Sequence, residues 1–290
     1  MTLNWERDGR DWPNRAASCF VRAAGLRWHV QRMGAGPTLL LLHGTGSSTH
    51  SWRALMPLLA ARFDVVAPDL PGHGFTDRPP GHRLSLPAMS RAMSELLQGM
   101  QVRPALAAGH SAGAAVLIRM ALDERIAPRA LVALNGALLP LAGAPGQVFS
   151  TIAKALVAIP LVPSVFAWRA ADPTMVNRLL QDTGSKLDPE GVALYRRLVR
   201  DPGHVAGALG MMANWDLRPL ERDMKRLRVP LILVAGGNDK TIQPADAERV
   251  RALVPGARVV LLPGLGHLAH EERPREIADL LFGLAPDVAS

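Results

Sequence analysis

Cysteine is almost absent from this sequence: Cys19 stands alone in 290 residues, so no disulfide can form within the chain. That fits a reducing compartment, and Cys19 reads as a small, partly buried side chain near the start of the first strand. Aromatic residues reach only 4%, and neither a basic helix nor a zinc-type spacing accompanies the excess of positive charge, which argues against nucleic-acid binding. The first ten residues are polar and mixed in charge, without the apolar segment of a secretory leader. The longest apolar stretch, 148–167, is broken by Lys154, Pro160 and Pro163. A span would need roughly 20 uninterrupted apolar residues, so this stretch reads as helices of a cap. Also missing are a phosphate-binding Gly-x-x-x-x-Gly-Lys-Ser/Thr loop, a Rossmann glycine fingerprint and a His-Glu-x-x-His pair. ATP hydrolysis, dinucleotide chemistry and a metal site are therefore not expected, and no cofactor is. The expectation is a soluble cytoplasmic protein.

The composition that is present, 48% hydrophobic and 20% charged, is that of a globular chain. The net charge of +8 is mostly arginine, since lysine occurs only at 154, 186, 225 and 240. Such a surface is either simply solvated or suited to acidic ligands or an anionic membrane surface, with at most peripheral contact. Short apolar runs at 39–42, 65–67, 106–108, 131–134, 231–235 and 259–262 read as buried strands. Helical patterns at 52–61, 86–98, 112–123 and 245–253 lie between them. This alternation implies a mostly parallel sheet with helices on both faces, and 20–24 and 28–32 suggest an antiparallel hairpin at its edge. From 138 to 222 the pattern turns helical and proline-punctuated. The organisation expected is an α/β core of residues 1–137 and 223–290 with a helical cap, 138–222, inserted.

Gly109-His110-Ser111-Ala112-Gly113 follows an expected strand and opens an expected helix. A nucleophile elbow has that context: the serine sits on a strained turn, and its flanking glycines admit backbone too close for a Cβ. A serine hydroxyl needs a base, and the base an orienting carboxylate. Asp239, in Gly-Gly-Asn-Asp, and His267, in Gly-Leu-Gly-His, each follow a later strand, so a parallel sheet carries all three to one rim. Taken alone, Asp239 also fits a turn cap, and His270 is a competing base. Asn135 ends another strand where an acid could sit, but an amide cannot stabilise an imidazolium as a carboxylate does. Two backbone N–H groups should hold the oxyanion: that of Ala112 and one in His43-Gly44-Thr45-Gly46, with Thr45 favoured over Gly46. His43, Gly44, Gly46, His110 and Trp215 are the expected substrate contacts. Ser47, Ser48, Thr49 and His50 either meet substrate or cap a helix before Trp52. Asp69, in Asp-Leu-Pro-Gly-His-Gly, reads as ordering its own turn.

These segments resemble the α/β-hydrolase superfamily throughout. Within it they are similar to the magnesium chelatase accessory proteins of bacteriochlorophyll gene clusters. The second likeness is carried by Asp11-Trp-Pro-Asn-Arg15, Trp28-His-Val-Gln31, His43-Gly-Thr-Gly with His50-Ser-Trp52, and Pro263-Gly-Leu-Gly-His-Leu-Ala-His-Glu-Glu272. In the cap it is carried by Thr183-Gly-Ser-Lys-Leu-Asp188, His204-Val-Ala-Gly-Ala208 and Met211-Met-Ala-Asn-Trp-Asp216. The resemblance implies an α/β-hydrolase fold and an association with magnesium chelation and photosynthetic pigment synthesis. Two functions follow from it and from the triad. One is serine-hydrolase chemistry on an ester or related acyl bond of a small molecule such as a tetrapyrrole. The other is a non-catalytic accessory protein that binds a porphyrin or magnesium chelatase subunits.

Overall fold

The computed structural model describes residues 3–140, 162–169 and 172–284. Its eight strands are β1 (Ser18–Ala23), β2 (Leu26–Met33), β3 (Thr38–Leu42), β4 (Asp64–Pro68), β5 (Leu106–His110), β6 (Ala130–Leu134), β7 (Leu231–Gly236) and β8 (Arg258–Leu262). They form one sheet in the order β1-β2-β4-β3-β5-β6-β7-β8. The β1–β2 and β2–β4 pairs are antiparallel and every other pair is parallel. The first two strands join through Ala24 (φ 52°) and Gly25 (φ 71°), the two positive-φ residues that a tight hairpin turn of matching twist demands.

β3 to β7 read as unbroken apolar runs because both faces are covered, whereas β8, expected to be buried, is the edge strand and leaves Leu261 exposed. Alternate residues of β3 part company accordingly. Leu40 and Leu42 join a core with Met89, Met93 and Leu96 of the helix Leu86–Gly99 and Val116 of the helix Ala112–Leu122. Leu39 and Leu41 face the other way, onto Leu55, Met56 and Leu59 and onto Ile277 and Leu281 of the helix Pro274–Gly283. The expected helix over 52–61 is shorter than its pattern. A 3-10 turn, Thr49–Trp52, comes first and the α-helix is Leu55–Leu59. Pro57 explains this, since its ring would collide with the carbonyl of residue 53 in a continuous helix. Cys19, expected partly buried, lies exposed on β1.

Between β6 and β7 the described chain forms the helices Val162–Arg169, Pro173–Gln181, Pro189–Val199, Pro202–Ala213 and Arg218–Asp223. Residues 148–161 of the apolar stretch read as cap helix fall outside the described residues, and 162–167 lie on the first of these helices. No described helix is long and apolar enough to cross a membrane. The topology also marks where a site belongs. The chain leaves β3 for β4 on one side, then returns to add β5 on the other. The loops after β3 and β5 therefore diverge at the carboxyl edge, opening the crevice in which open α/β sheets bind ligands.

Candidate active site

Ser111 occupies that crevice, between β5 and its helix, at φ 50° and ψ −119°. A side chain in this region is strained, and surrounding structure must impose it. Here it does. Ser111 N–H donates to Leu134 O (3.0 Å), and its carbonyl accepts from Ala114 and Ala137 (3.2 and 3.1 Å). The flanking glycines are sterically required. A Cβ on Gly109 would lie 2.5 Å from Ala114 N, and one on Gly113 2.3 Å from Leu42 O. The helix thus starts against β3, with Ala112 in its first turn, where N–H groups have no intrahelical acceptor.

His267 and Asp239 arrive from the loops after β8 and β7. His267 Nδ1–H donates to Asp239 Oδ2 at 2.8 Å, and both side chains are almost fully buried. Asp239 is held on every side. Oδ1 accepts the N–H groups of Thr241 (2.7 Å) and Ile242 (2.9 Å). Oδ2 takes a second donor, Asn135 Nδ2, at 2.8 Å. Asn135 ends β6 at φ 47° and also reaches Gly266 O (3.3 Å). It supplies no carboxylate; it holds the Asp239 carboxylate that follows the next strand. Among the described residues no hydrogen bond joins Ser111 Oγ to His267, a contact that often tightens only once substrate is bound.

The loop after β3 turns tightly, with Ser47 N–H donating to Gly44 O (3.2 Å) and Gly46 at φ 74°. Gly44 packs against the elbow so closely that a Cβ would sit 2.9 Å from Ser111 Cβ and from His110 Nδ1. Among the described residues the N–H groups of Thr45, Gly46 and Ala112 have no acceptor. Free donors on this turn and at the elbow are what an oxyanion requires.

The expected substrate contacts divide. Gly44 and Gly46 stay with the turn, but both histidines are spent on backbone. His43 is buried, its Nδ1–H donating to Gly44 O (2.8 Å) and its Nε2 accepting Leu70 N–H (2.9 Å). His110 Nε2–H donates to His267 O (3.0 Å), pinning the loop after β8 to the elbow. Burial lowers the pKa of both rings, so they are neutral braces. Trp215 packs against the larger core cluster. His270, the competing base, is buried against Trp52 and His110 with no hydrogen-bond partner among the described residues, and burial lowers its pKa to about 3. Ser48 does not cap the 3-10 turn with its side chain; its Oγ meets His50 Nδ1 at 2.7 Å.

A second Ser-His-Asp chain lies elsewhere. His29 bonds Asp69 Oδ2 through Nδ1 (2.7 Å) and Ser18 Oγ through Nε2 (3.0 Å). Its surroundings make it structural. Ser18 sits in a regular strand, paired with Gln31 and bonded by the Gln31 amide (3.2 Å). His29 is fully buried among Trp5, Phe20 and Phe75. Asp69 also accepts Thr49 N–H (2.7 Å) and Phe75 N–H (2.9 Å), ordering its turn. Burial opposes its charge, but His29 and these donors hold it well below the usual carboxylate range.

The segment between β6 and β7 contributes residues that the sequence pattern does not reveal. Thr183 O accepts from both His267 N–H and Lys240 N–H (3.2 Å each), and Ser185 Oγ accepts Leu268 N–H (2.8 Å). Tyr195, the sole tyrosine, donates to Glu271 Oε1 (2.7 Å) and meets Ser47 Oγ (3.2 Å). Glu271 also pairs with Arg53, which reaches Asp188 at 3.0 Å. Burial raises the Glu271 carboxyl to about 7, against the pull of Arg53 and Tyr195. Among the described residues no group of three or more His, Cys, Asp and Glu is placed to hold a metal ion.

Residues 39–280 match the model of the "Alpha/beta hydrolase family". The chain is 38% identical over 279 residues to a Rhodobacter capsulatus protein named "Magnesium-chelatase 30 kDa subunit", covering 96% of each. Its fold is similar to that of an alpha/beta hydrolase fold protein from Burkholderia ambifaria (TM-score 0.78, 24% identity, 92% of this chain and 97% of that one). It is also similar to a thermophilic esterase from Thermogutta terrifontis (TM-score 0.74, 22% identity, 94% and 99%). With the sheet order, the elbow and a family match across most of its length, the chain belongs to the alpha/beta hydrolase family.

Proposed function

We propose that this protein is a serine hydrolase acting on an ester or related acyl bond of a small molecule, with Ser111 as nucleophile, His267 as base and Asp239 as its orienting acid. The observation that carries the reading is the 2.8 Å His267–Asp239 bond at the rim where the strained Ser111 stands. With Nδ1–H on Asp239, the imidazole presents a bare Nε2 to accept the serine proton. Ser111 Oγ attacks the carbonyl carbon, the proton passes to His267, and the new oxyanion accepts the N–H groups of Thr45 and Ala112. The tetrahedral intermediate collapses as His267 returns the proton to the leaving group. Water then repeats the cycle on the acyl-enzyme. Gly44 and Gly46 shape the oxyanion side of this site, and residues 138–222 are its cap.

The physiological setting we infer is cytoplasmic bacteriochlorophyll synthesis, supported by the 38% identity to a protein named as a magnesium-chelatase subunit. A tetrapyrrole ester is the substrate class that joins this setting to this chemistry. The same name favours a second reading, a non-catalytic accessory that binds a porphyrin or chelatase subunits. A fluorophosphonate probe and p-nitrophenyl esters separate the two. The first reading expects wild-type protein to label and turn over, and Ser111→Ala to do neither. Equal behaviour of wild type and variant refutes the assignment of Ser111. Porphyrin quenching titrations and chelatase pull-downs that are unaffected by Ser111→Ala, with no turnover, support the accessory reading.

A further inference from the structure

The turn Gly44–Ser47 has two kinds of support. Its first residue belongs to the core, where His43 bonds Gly44 O and the Gly44 backbone lies against His110 and Ser111. The next three are held by the insertion. Thr45 Oγ1 points its hydroxyl at Met211 Sδ (3.4 Å), Gly46 O accepts His204 Nε2–H (3.1 Å), and Ser47 Oγ meets Tyr195 OH (3.2 Å). Both polar anchors are themselves fixed. His204 Nδ1 accepts Gly74 N–H (3.1 Å), and its backbone N–H is capped by Asp201 (2.6 Å). Its helix presses so close to the Asp69 turn that a Cβ on Gly207 would lie 1.8 Å from Gly72 O. Tyr195 is gripped by Glu271 and packs edge-on against His50, with ring centroids 4.5 Å apart.

We propose that Tyr195 and His204 are positioning residues, which mount the oxyanion turn on the inserted helices so that the donor geometry opposite Ser111 depends on how the insertion is seated. The proposal rests on the hydrolase reading above. Neither residue touches the reacting atoms; each acts through Gly46 or Ser47. The same insertion braces the base and acid loops through Thr183 and Ser185, so its displacement loosens all three parts of the site together. A substrate that binds against these helices thereby tightens the machinery that attacks it. Neutral histidine suits the post, because it must accept at Nδ1 while donating at Nε2. Burial, the largest influence, lowers the His204 pKa to about 4 and keeps it neutral.

Four proteins test this: wild type, Tyr195→Phe, His204→Ala and His204→Gln, whose amide keeps a donor for Gly46 O. The measurements are Ser111 labelling by a fluorophosphonate, kcat and KM for p-nitrophenyl butyrate, and deuterium exchange of peptides spanning 44–51. Exchange of 86–99 serves as the control for global loosening. Loss of an oxyanion donor costs about 100-fold or more in kcat. A turn whose donors survive but drift should cost about tenfold, in Tyr195→Phe and His204→Ala alike, with KM changed less than about twofold. Exchange of 44–51 should quicken while 86–99 stays unchanged, and His204→Gln should recover most of the rate. Wild-type labelling and wild-type exchange of 44–51 in both Tyr195→Phe and His204→Ala would overturn the proposal. If wild-type protein does not label at all, the hydrolase reading fails by itself, and the exchange of 44–51 decides whether the insertion holds the turn.

Discussion

Replacing Asn135 by Asp puts a second carboxylate where the structure has a donor. Asn135 Nδ2 lies 2.8 Å from Asp239 Oδ2, the oxygen that also receives His267 Nδ1–H, and both residues are buried. Asparagine holds φ 47° here, and aspartate tolerates the same left-handed backbone, so the fold is kept while the charge changes. Two carboxylates at that separation repel by about 6 kcal/mol at an effective dielectric of 20. The pair escapes by sharing one proton, as close carboxylate pairs do. Keeping that proton at pH 7, against an ordinary aspartate pKa near 4, costs about 4 kcal/mol. The folded pair binds a proton that the unfolded chain has released, so the stability deficit of the variant grows as pH rises above about 4 and levels off once the shared proton leaves. Urea denaturation at pH 5, 7 and 8.5, beside wild type, measures it. The deficit at pH 7 should exceed that at pH 5 by about 2 to 3 kcal/mol. A deficit that is constant over the series would refute the claim that Asn135 and Asp239 share a buried hydrogen bond.

Two further perturbations follow from the same packing. Glu271, raised by burial from its ordinary 4.5 to about 7, binds a proton more tightly folded than unfolded, so it lowers wild-type stability as pH rises from 4.5 to 7. Glu271→Gln should remove that slope, on the order of 2 to 3 kcal/mol, in denaturation curves across the window; an unaltered slope would assign it to other groups. Gly113→Ala drives a methyl into Leu42 O and His43 O. It should cost about 1 to 3 kcal/mol in urea and, by shifting the elbow, about 100-fold in esterase kcat. A stable and fully active alanine variant would show that the helix can retreat from β3 without disturbing Ser111.

Much of the scaffold was legible in the sequence because its signals are local. β3, β5, β6 and β7 appear as short apolar runs since both faces of each strand are covered, and the order of Ser111, Asp239 and His267 follows from strands that end on one edge. The shortened helix before Leu59 was also a local matter, set by Pro57 within an otherwise helical pattern. What escaped depends on distance along the chain. Asn135 and Asp239 are 104 residues apart, Tyr195 and Glu271 76, and Arg53 and Glu271 218. No periodicity records such pairs. The ring partners of His43 and His110 escaped for a different reason. A histidine in such a loop looks the same in sequence whether its ring faces a ligand or satisfies a buried carbonyl, and here both rings do the latter.

The placement of the insertion between β6 and β7 has a consequence for how the chain is made. β6 pairs with β5 on one side and β7 on the other, yet residues 135–230 must be synthesised before β7 begins. At about 5 to 20 residues per second, that edge waits roughly 5 to 20 s with a row of unpaired N–H and C=O groups beside Leu131 and Val132. Such an edge invites pairing with another chain. The elbow stands one strand in from that edge: Ser111 N–H donates to Leu134 O of β6, while Asn135 N–H still lacks its acceptor, Val234 O of the absent strand. The nascent protein therefore holds Ser111 in place before Asp239 and His267 have been made, and the edge of β6 stays open until β7 arrives.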